Sequence, residues 1–135
     1  MGLIYLDAPI VIYLVERHGR WGEPAARAMA GAPDARFGLS ALAKAECLAA
    51  PLKRGDPVLR RAYLDFFDLL LPLAMPETAY PEAAELRARF GLSMADALHL
   101  ACAQHHGCEA LWTNDDRFEA ASHGLACNIL KAQRP

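Results

Sequence analysis

The chain has 135 residues, of which 54% are hydrophobic and 22% are charged, and its formal net charge is −2. This length suits one domain with its own buried core, and we treat residues 1–135 as a single domain. The composition excludes an intrinsically disordered chain, and the small negative charge gives no sign of nucleic-acid binding by the molecule as a whole. The apolar runs are far shorter than the ~20 residues that cross a membrane. Since an apolar run starts the chain with no basic segment before it, we expect a cytoplasmic protein without a membrane anchor.

Short apolar runs alternate with helical patterns along the chain. In order, the patterns predict a strand at 3–6, helices at 9–15 and 23–29, a strand at 36–39, and helices at 40–52 and 56–71. A strand at 72–75, helices at 78–90 and 93–106, a strand at 110–113, a short helix at 116–121 and a strand at 125–130 follow. Strands that alternate with helices favour an α/β fold, in which a parallel sheet is covered by helices on both faces.

Three aspartates fall where a strand pattern ends or a helical pattern begins. Asp7 follows the first strand, Asp115 follows the strand at 110–113, and Asp96 opens the apolar part of the helix at 93–106. Ligands of open α/β sheets bind beyond the carboxyl ends of the strands, so we expect such acids to converge there. Each aspartate is also suited to cap the helix beside it. Capping and metal binding are compatible, because both place an anion near a helix N-terminus.

A fourth acid, Glu46, lies inside the otherwise apolar helical pattern at 40–52. The other charged residue there is Lys44, which points roughly 200° away from Glu46 at ~100° per residue. If Lys44 faces water, Glu46 turns inward beside Leu42 and Ala49, where a carboxylate needs a cation or a hydrogen-bond donor. Snorkelling of the lysine would reverse this geometry, so both orientations stay open.

Converging acids repel one another unless protons or cations neutralise them. Mg²⁺ and Mn²⁺ prefer oxygen ligands, which Asp7, Glu46, Asp96 and Asp115 would supply. Such an ion polarises a phosphoryl oxygen and lowers the pKa of a bound water. The residues therefore favour a metal site, with metal-dependent phosphodiester chemistry as the leading hypothesis.

At these residues the chain resembles the PIN-domain family, especially the toxin ribonucleases of virulence-associated (VapC-type) toxin–antitoxin pairs. The resemblance covers nearly the whole chain and lies in four segments: Ile4-Tyr5-Leu6-Asp7, Ser40-x5-Glu46, Asp96-Ala97-Leu98-His99-Leu100-Ala101 and Thr113-Asn114-Asp115-x-x-Phe118. It implies a three-layer α/β/α sandwich with a central, mainly parallel sheet. It also implies metal-dependent hydrolysis of RNA, a homodimer, and a cognate antitoxin that covers the site. The implied ligands of Mg²⁺ or Mn²⁺ are Asp7, Glu46, Asp96 and Asp115.

The resemblance further implies that Thr113 and Asn114 support the site, with Asp116 as a less favoured extra ligand. One position departs from the family, because the first acid is usually followed by Ser or Thr and here by Ala8. A hydroxyl group at this position could orient a metal ligand, so its absence affects the orientation of the ligands more than metal binding itself. It keeps open a second class of function, a non-catalytic PIN-like module that binds a partner and has weak or no nuclease activity.

Two other groups of residues have metal-binding or acid–base chemistry. Cys102 and His106 share a helical face and lie near His105 and Cys108, but no second Cys/His pair has a zinc-like spacing. Reduced core cysteines and a histidine-rich helix C-terminus are therefore favoured over a zinc site. His99, three residues after Asp96, is close enough to approach the site, although a packed or hydrogen-bonded histidine is the favoured interpretation.

Overall fold

The computed structural model describes residues 2–130, in which the predicted parallel sheet is confirmed. Its strands are Leu3–Leu6 (β1), Arg36–Ser40 (β2), Leu71–Leu73 (β3), Ala110–Thr113 (β4) and Ala126–Asn128 (β5). They lie in the order β3-β2-β1-β4-β5, and every neighbouring pair is parallel. The central strand β1 pairs with β4 in a register that sets Leu6 beside Trp112. The residues that follow these two strands therefore lie at neighbouring positions.

The helices alternate with the strands, as predicted. They are Ala8–Val15 (α1), Gly22–Ala30 (α2), Ala41–Arg54 (α3), Pro57–Phe67 (α4), Ala79–Phe90 (α5), Met94–His105 (α6) and Glu119–Ser122 (α7), with a 3₁₀ turn at Asp116–Phe118. Among residues 2–130, no helix has the length and apolar character needed to cross a membrane.

Alternate residues of the central strands face opposite helical layers, because successive side chains of a strand point to opposite faces. Ile4 and Leu6 of β1 belong to a core cluster that includes residues of helices α1 to α4. Tyr5, between them in sequence, belongs to a cluster with Leu111 of β4 and Cys102 of α6. The sheet is therefore covered on both faces, which confirms the predicted three-layer α/β/α sandwich.

Local side-chain and backbone caps set three of the helix boundaries. The Oγ atom of Ser40 accepts a hydrogen bond from the backbone N–H of Ala43 at 3.2 Å, and the Oγ atom of Ser93 accepts one from Asp96 at 3.1 Å. Gly91 ends α5 in the left-handed conformation, at a φ of 71°, which glycine adopts without strain. These signals fix where α3 and α6 begin, and both helices contribute an acid to the site.

Some predicted boundaries were wrong. The helix predicted at 56–71 ends at Phe67, because the chain turns to bury Leu70 and then pairs Leu71 with Gly38 of β2. The third strand thus begins before Pro72, which lies on an edge strand where a missing N–H is tolerated. The predicted helix at 116–121 is divided into a 3₁₀ turn and α7, and the predicted strand at 125–130 is shorter.

Candidate active site

A cleft of about 300 Å³ opens at the carboxyl ends of β1 and β4. Four acids line it: Asp7 at the end of β1, Glu46 on α3, Asp96 in the first turn of α6, and Asp115 after β4. The cleft is also lined by Pro9, Tyr13, Thr113, Asn114 and Arg117. The expected convergence of these distant acids is therefore present, while their role as metal ligands stays a prediction.

Asp7 is the most deeply placed of the acids, with only 5% of its surface exposed. It caps α1, since one carboxylate oxygen accepts a hydrogen bond from the backbone N–H of Ala8 at 2.9 Å. The other oxygen accepts one from the Thr113 hydroxyl at 2.8 Å. Burial raises the pKa of Asp7, although the nearby His99 and the hydrogen bond from Thr113 act in the opposite direction. The capping and metal-site interpretations thus apply to the same side chain.

Asp7→Asn is expected to raise the melting temperature at neutral pH in metal-free buffer. Folding raises the pKa of Asp7, so the folded state favours the protonated form of this carboxyl group. Its contribution to the free energy of unfolding is therefore fully present below the unfolded-state pKa of about 3.9, and it is lost as the pH rises through the folded-state pKa. Asparagine keeps an oxygen for the Ala8 N–H and buries no charge, and the loss of the bond accepted from Thr113 offsets only part of this gain. Thermal unfolding in a chelator should show a gain at pH 7 that disappears near pH 3, where the aspartate is protonated in both states. A melting temperature that is unchanged or lower at pH 7 would contradict this pKa assignment.

Thr113 connects two of the acids. It is buried, and its hydroxyl donates to Asp7 while accepting a hydrogen bond from the backbone N–H of Asp115 at 3.1 Å. With Ala8 after the first acid, the sequence predicts that Asp7 lacks a hydroxyl group to orient it. The structure modifies this expectation, because Thr113 of β4 supplies such a hydroxyl donor to Asp7. The side-chain amide of Asn114 donates to the Tyr13 hydroxyl at 3.2 Å and so joins the cleft wall to α1.

Arg117 is a cleft residue that the sequence analysis missed. Its Nε atom lies 3.0 and 2.9 Å from the two carboxylate oxygens of Asp115, and its Nη2 atom lies 3.8 Å from Asp96. The hydrogen bond from Arg117 is the main cause that lowers the pKa of Asp115. An arginine two residues after an aspartate in a 3₁₀ turn follows no periodic pattern, so the sequence gives no signal for this pair.

Glu46 faces the cleft, but its side chain is less buried than the predicted inward orientation requires. Its side chain is 37% exposed, and its Oε1 atom lies 2.5 Å from Nε2 of His99. Lys44 is partly buried, with its Nζ atom 5.9 Å from the centre of the Phe67 ring. The observed orientation of α3 lies between the two predicted ones. The stem of Lys44 covers apolar surface, and Glu46 obtains a hydrogen-bond partner at the cleft.

His99 confirms the interpretation as a packed, hydrogen-bonded histidine, and it also reaches the site. Its Nδ1 atom lies 2.6 Å from the Tyr5 hydroxyl, which lies 2.7 Å from Oγ of Ser40. All three residues are fully buried, and burial raises the pKa of Tyr5 far above its usual value. Tyr5 and His99 are 94 positions apart, so no local pattern in the sequence predicts their contact.

The donor chemistry of the cleft fits Mg²⁺ or Mn²⁺, since its four acids offer carboxylate oxygens. Within residues 2–130, however, no three His, Cys, Asp or Glu side chains are gathered tightly enough to hold one ion. Arg117 already pairs with Asp115, and His99 already contacts Glu46. A dication held by all four acids therefore needs the carboxylates to move closer together, and at Asp115 it competes with Arg117 for the carboxylate oxygens.

The zinc interpretation gains no support from the cysteines and histidines at the end of α6. The Sγ atom of Cys102 and the Nε2 atom of His106 both contact the carbonyl oxygen of Ala74, at 3.6 and 2.7 Å. Burial raises the pKa of both Cys102 and Cys108 to about 11, which disfavours the thiolates that zinc binds. These thiols are free and buried, as the sequence predicted for reduced core cysteines.

Comparison with known proteins agrees with this geometry, because the PIN domain model matches residues 4–124. The chain belongs to the PIN-domain family. No protein of curated function matches the chain by sequence.

Several solved structures share the fold of this PIN domain. VapBC2 from Rickettsia felis, bound to a promoter DNA fragment, aligns with 17% identity and a TM-score of 0.77, covering 93% of this chain and 97% of that one. A toxin–antitoxin complex from Klebsiella pneumoniae aligns with 20% identity and a TM-score of 0.75 over the same shares, 93% and 97%. VapC20 from Mycobacterium tuberculosis, a sarcin–ricin loop cleaving toxin, aligns with 19% identity and a TM-score of 0.74, covering 87% and 94%.

Proposed function

We propose that this PIN domain is a toxin-type endoribonuclease that hydrolyses RNA phosphodiester bonds with Mg²⁺ or Mn²⁺. The main support is the placement of four carboxylates from separate elements in one cleft at the strand ends. Ligand sites of open α/β sheets lie at this edge. The structural likeness to VapC20, a toxin that cleaves the sarcin–ricin loop, agrees with RNA as the substrate class.

In this proposal, Asp7, Glu46, Asp96 and Asp115 hold one or two divalent ions. A bound ion supplies Lewis-acid chemistry, because it polarises a phosphoryl oxygen and lowers the pKa of a coordinated water. No side chain of the cleft is assigned as a general base.

The other cleft residues hold the acids in place and bind the substrate. The hydroxyl of Thr113 holds one carboxylate oxygen of Asp7 and the backbone N–H of Asp115, so it links the two chain segments that follow β1 and β4. If an ion displaced Arg117 from Asp115, the guanidinium group would be a planar donor suited to a phosphate oxygen of the RNA.

We further propose a homodimer in the cytoplasm whose cleft is covered by a cognate antitoxin. The Klebsiella pneumoniae structure is a toxin–antitoxin complex and the Rickettsia felis structure is VapBC2 bound to promoter DNA, and both share this fold over 93% of the chain. An inhibitor that occupies the cleft would meet an excess of carboxylates, so a basic side chain from the antitoxin is the complementary group.

A cleavage assay on antitoxin-free protein tests the proposed function. Structured and single-stranded RNA should be cut in Mg²⁺ or Mn²⁺, and a chelator should abolish the reaction until the metal is restored. Cleavage that persists in the chelator would contradict metal dependence. The absence of cleavage with either metal would contradict the ribonuclease function.

A second candidate, the non-catalytic partner-binding module, is favoured by one observation. Arg117 already neutralises Asp115, so the cleft contains an internal cation where a dication would bind. Titration of the free protein with Mn²⁺ by calorimetry separates the two candidates. The nuclease should bind the ion, whereas the module should give no binding heat.

A further inference from the structure

We propose that His99 is a positioning residue, which holds the carboxylate of Glu46 in the cleft by a buried hydrogen-bond chain from Ser40 through Tyr5. The inference rests on the proposed function in one respect, because it takes Glu46 as a ligand of the metal ion. The inference assigns a role to the buried hydrogen bonds between Ser40, Tyr5 and His99, which the metal-site proposal does not use.

The chain is continuous from the core to the cleft. Oγ of Ser40 lies 2.7 Å from the Tyr5 hydroxyl, and this hydroxyl lies 2.6 Å from Nδ1 of His99. On the opposite side of the imidazole ring, Nε2 lies 2.5 Å from Oε1 of Glu46. The first three residues are fully buried, and Glu46 alone reaches solvent. The chain thus joins β1, the N-terminus of α3 and α6 to the one ligand that is not placed by a helix cap or strand end.

For a neutral His99 ring, one direction of the hydrogen bonds gives every proton of the chain an acceptor. Ser40 accepts from the backbone N–H of Ala43, so its own hydroxyl proton is free to be donated to the oxygen of Tyr5. The single proton of Tyr5 is then donated to Nδ1 of His99. The ring proton of His99 therefore lies on Nε2 and is donated to Glu46. The opposite direction would leave the Ser40 proton without an acceptor and would set the Nε2 lone pair against a carboxylate oxygen.

This arrangement fixes one oxygen of Glu46 and leaves the other for a cation. A long side chain on a helix surface otherwise samples several rotamers, and ordering it costs free energy when the ion binds. Hydrogen-bond partners that orient metal ligands typically change metal affinity 10–100-fold when they are removed. We therefore expect the effect of His99 to appear in the affinity for the ion.

Two substitutions of His99 distinguish the roles of its two ring nitrogens. In His99→Gln the amide nitrogen takes a place like that of Nε2, so the donor to Glu46 is kept. In His99→Asn the shorter amide reaches only the Nδ1 side, and the donor to Glu46 is lost. Calorimetric titration with Mn²⁺ should show an affinity about 10–100-fold weaker for the Asn variant. The Gln variant should retain most of the wild-type affinity. His105→Asn, an exposed histidine on the same helix, is the matched control and should bind Mn²⁺ like the wild type.

A second variant and a spectroscopic reading keep the inference testable if the His99 variants do not fold. Tyr5→Phe leaves His99 in place but removes the donor that selects its tautomer, so it should weaken Mn²⁺ binding in the same direction and to a smaller extent. In wild-type protein, ¹⁵N–¹H correlations of the imidazole ring should place the His99 proton on Nε2. A proton on Nδ1 alone would overturn the inference, as would equal Mn²⁺ affinity for folded His99→Asn and the wild type.

RNA cleavage measured on the same samples distinguishes this inference from the proposed function. If the wild type binds Mn²⁺ and cuts RNA while His99→Asn does both equally well, the positioning role fails and the nuclease proposal stands. If the wild type neither binds Mn²⁺ nor cuts RNA, the nuclease proposal fails and the positioning role fails with it.

Discussion

Asp96→Asn is expected to lower metal-dependent RNA cleavage by at least about 10-fold, because direct ligands should matter no less than the outer partners whose loss costs 10–100-fold. The variant should still fold. The backbone N–H of Asp96 receives the Ser93 cap whatever the side chain, and the carboxylate is partly exposed. Asparagine keeps the shape of the side chain and removes its charge, so the loss reports on the ion and not on packing.

Asp65→Asn provides the matched control for this prediction. Asp65 lies on α4 outside the cleft, pairs with Arg61 at 3.5 Å, and has a side chain that is 67% exposed. Its substitution should leave cleavage unchanged, since exposed ion pairs contribute little. Cleavage by Asp96→Asn at the rate of the Asp65 control would remove Asp96 from the catalytic site.

Leu6→Ala is expected to lower the free energy of unfolding by about 2–5 kcal/mol, the range found for leucine truncation in protein cores. Leu6 is fully buried in the central strand, next to Asp7, and belongs to the cluster packed against helices α1 to α4. Truncation removes apolar contacts and leaves a cavity that the close-packed sheet cannot readily fill. Urea denaturation in metal-free buffer measures the change.

Leu69→Ala is the matched control, because it makes the same leucine-to-alanine change at an exposed position. Leu69 is 79% exposed in the turn between α4 and β3, so its truncation should change the free energy of unfolding by no more than about 0.5 kcal/mol. Similar losses for the two leucines would contradict the placement of β1 at the centre of the core.

The sequence predicts the parts of the site that depend on local rules. Asp7 and Asp115 follow buried strands, and Asp96 lies three residues after the Ser93 cap, so their positions follow from strand ends and helix starts. The apolar runs also predict a parallel sheet with both faces covered. The order of strands does not follow from these rules, because it depends on how the helices pack.

The remaining part of the site depends on contacts between distant segments. His99 contacts Glu46 across 53 positions and Tyr5 across 94, and neither spacing leaves a periodic signal. The sequence leaves the orientation of Glu46 open for this reason, since the helix around it allows Lys44 to face water or to snorkel. The family resemblance predicts that Thr113 supports the site, but the bond from Thr113 to Asp7 depends on the pairing of β1 with β4.

Anomalous diffraction from a crystal soaked in Mn²⁺ tests directly whether the carboxylates share a dication. We expect an anomalous peak in the cleft, within coordination distance of oxygens from Asp7, Glu46, Asp96 and Asp115, with the Arg117 side chain moved away from Asp115. A peak elsewhere, or a soaked crystal in which Arg117 keeps its bond to Asp115 and the cleft has no anomalous density, would contradict a metal-dependent nuclease site in this protein.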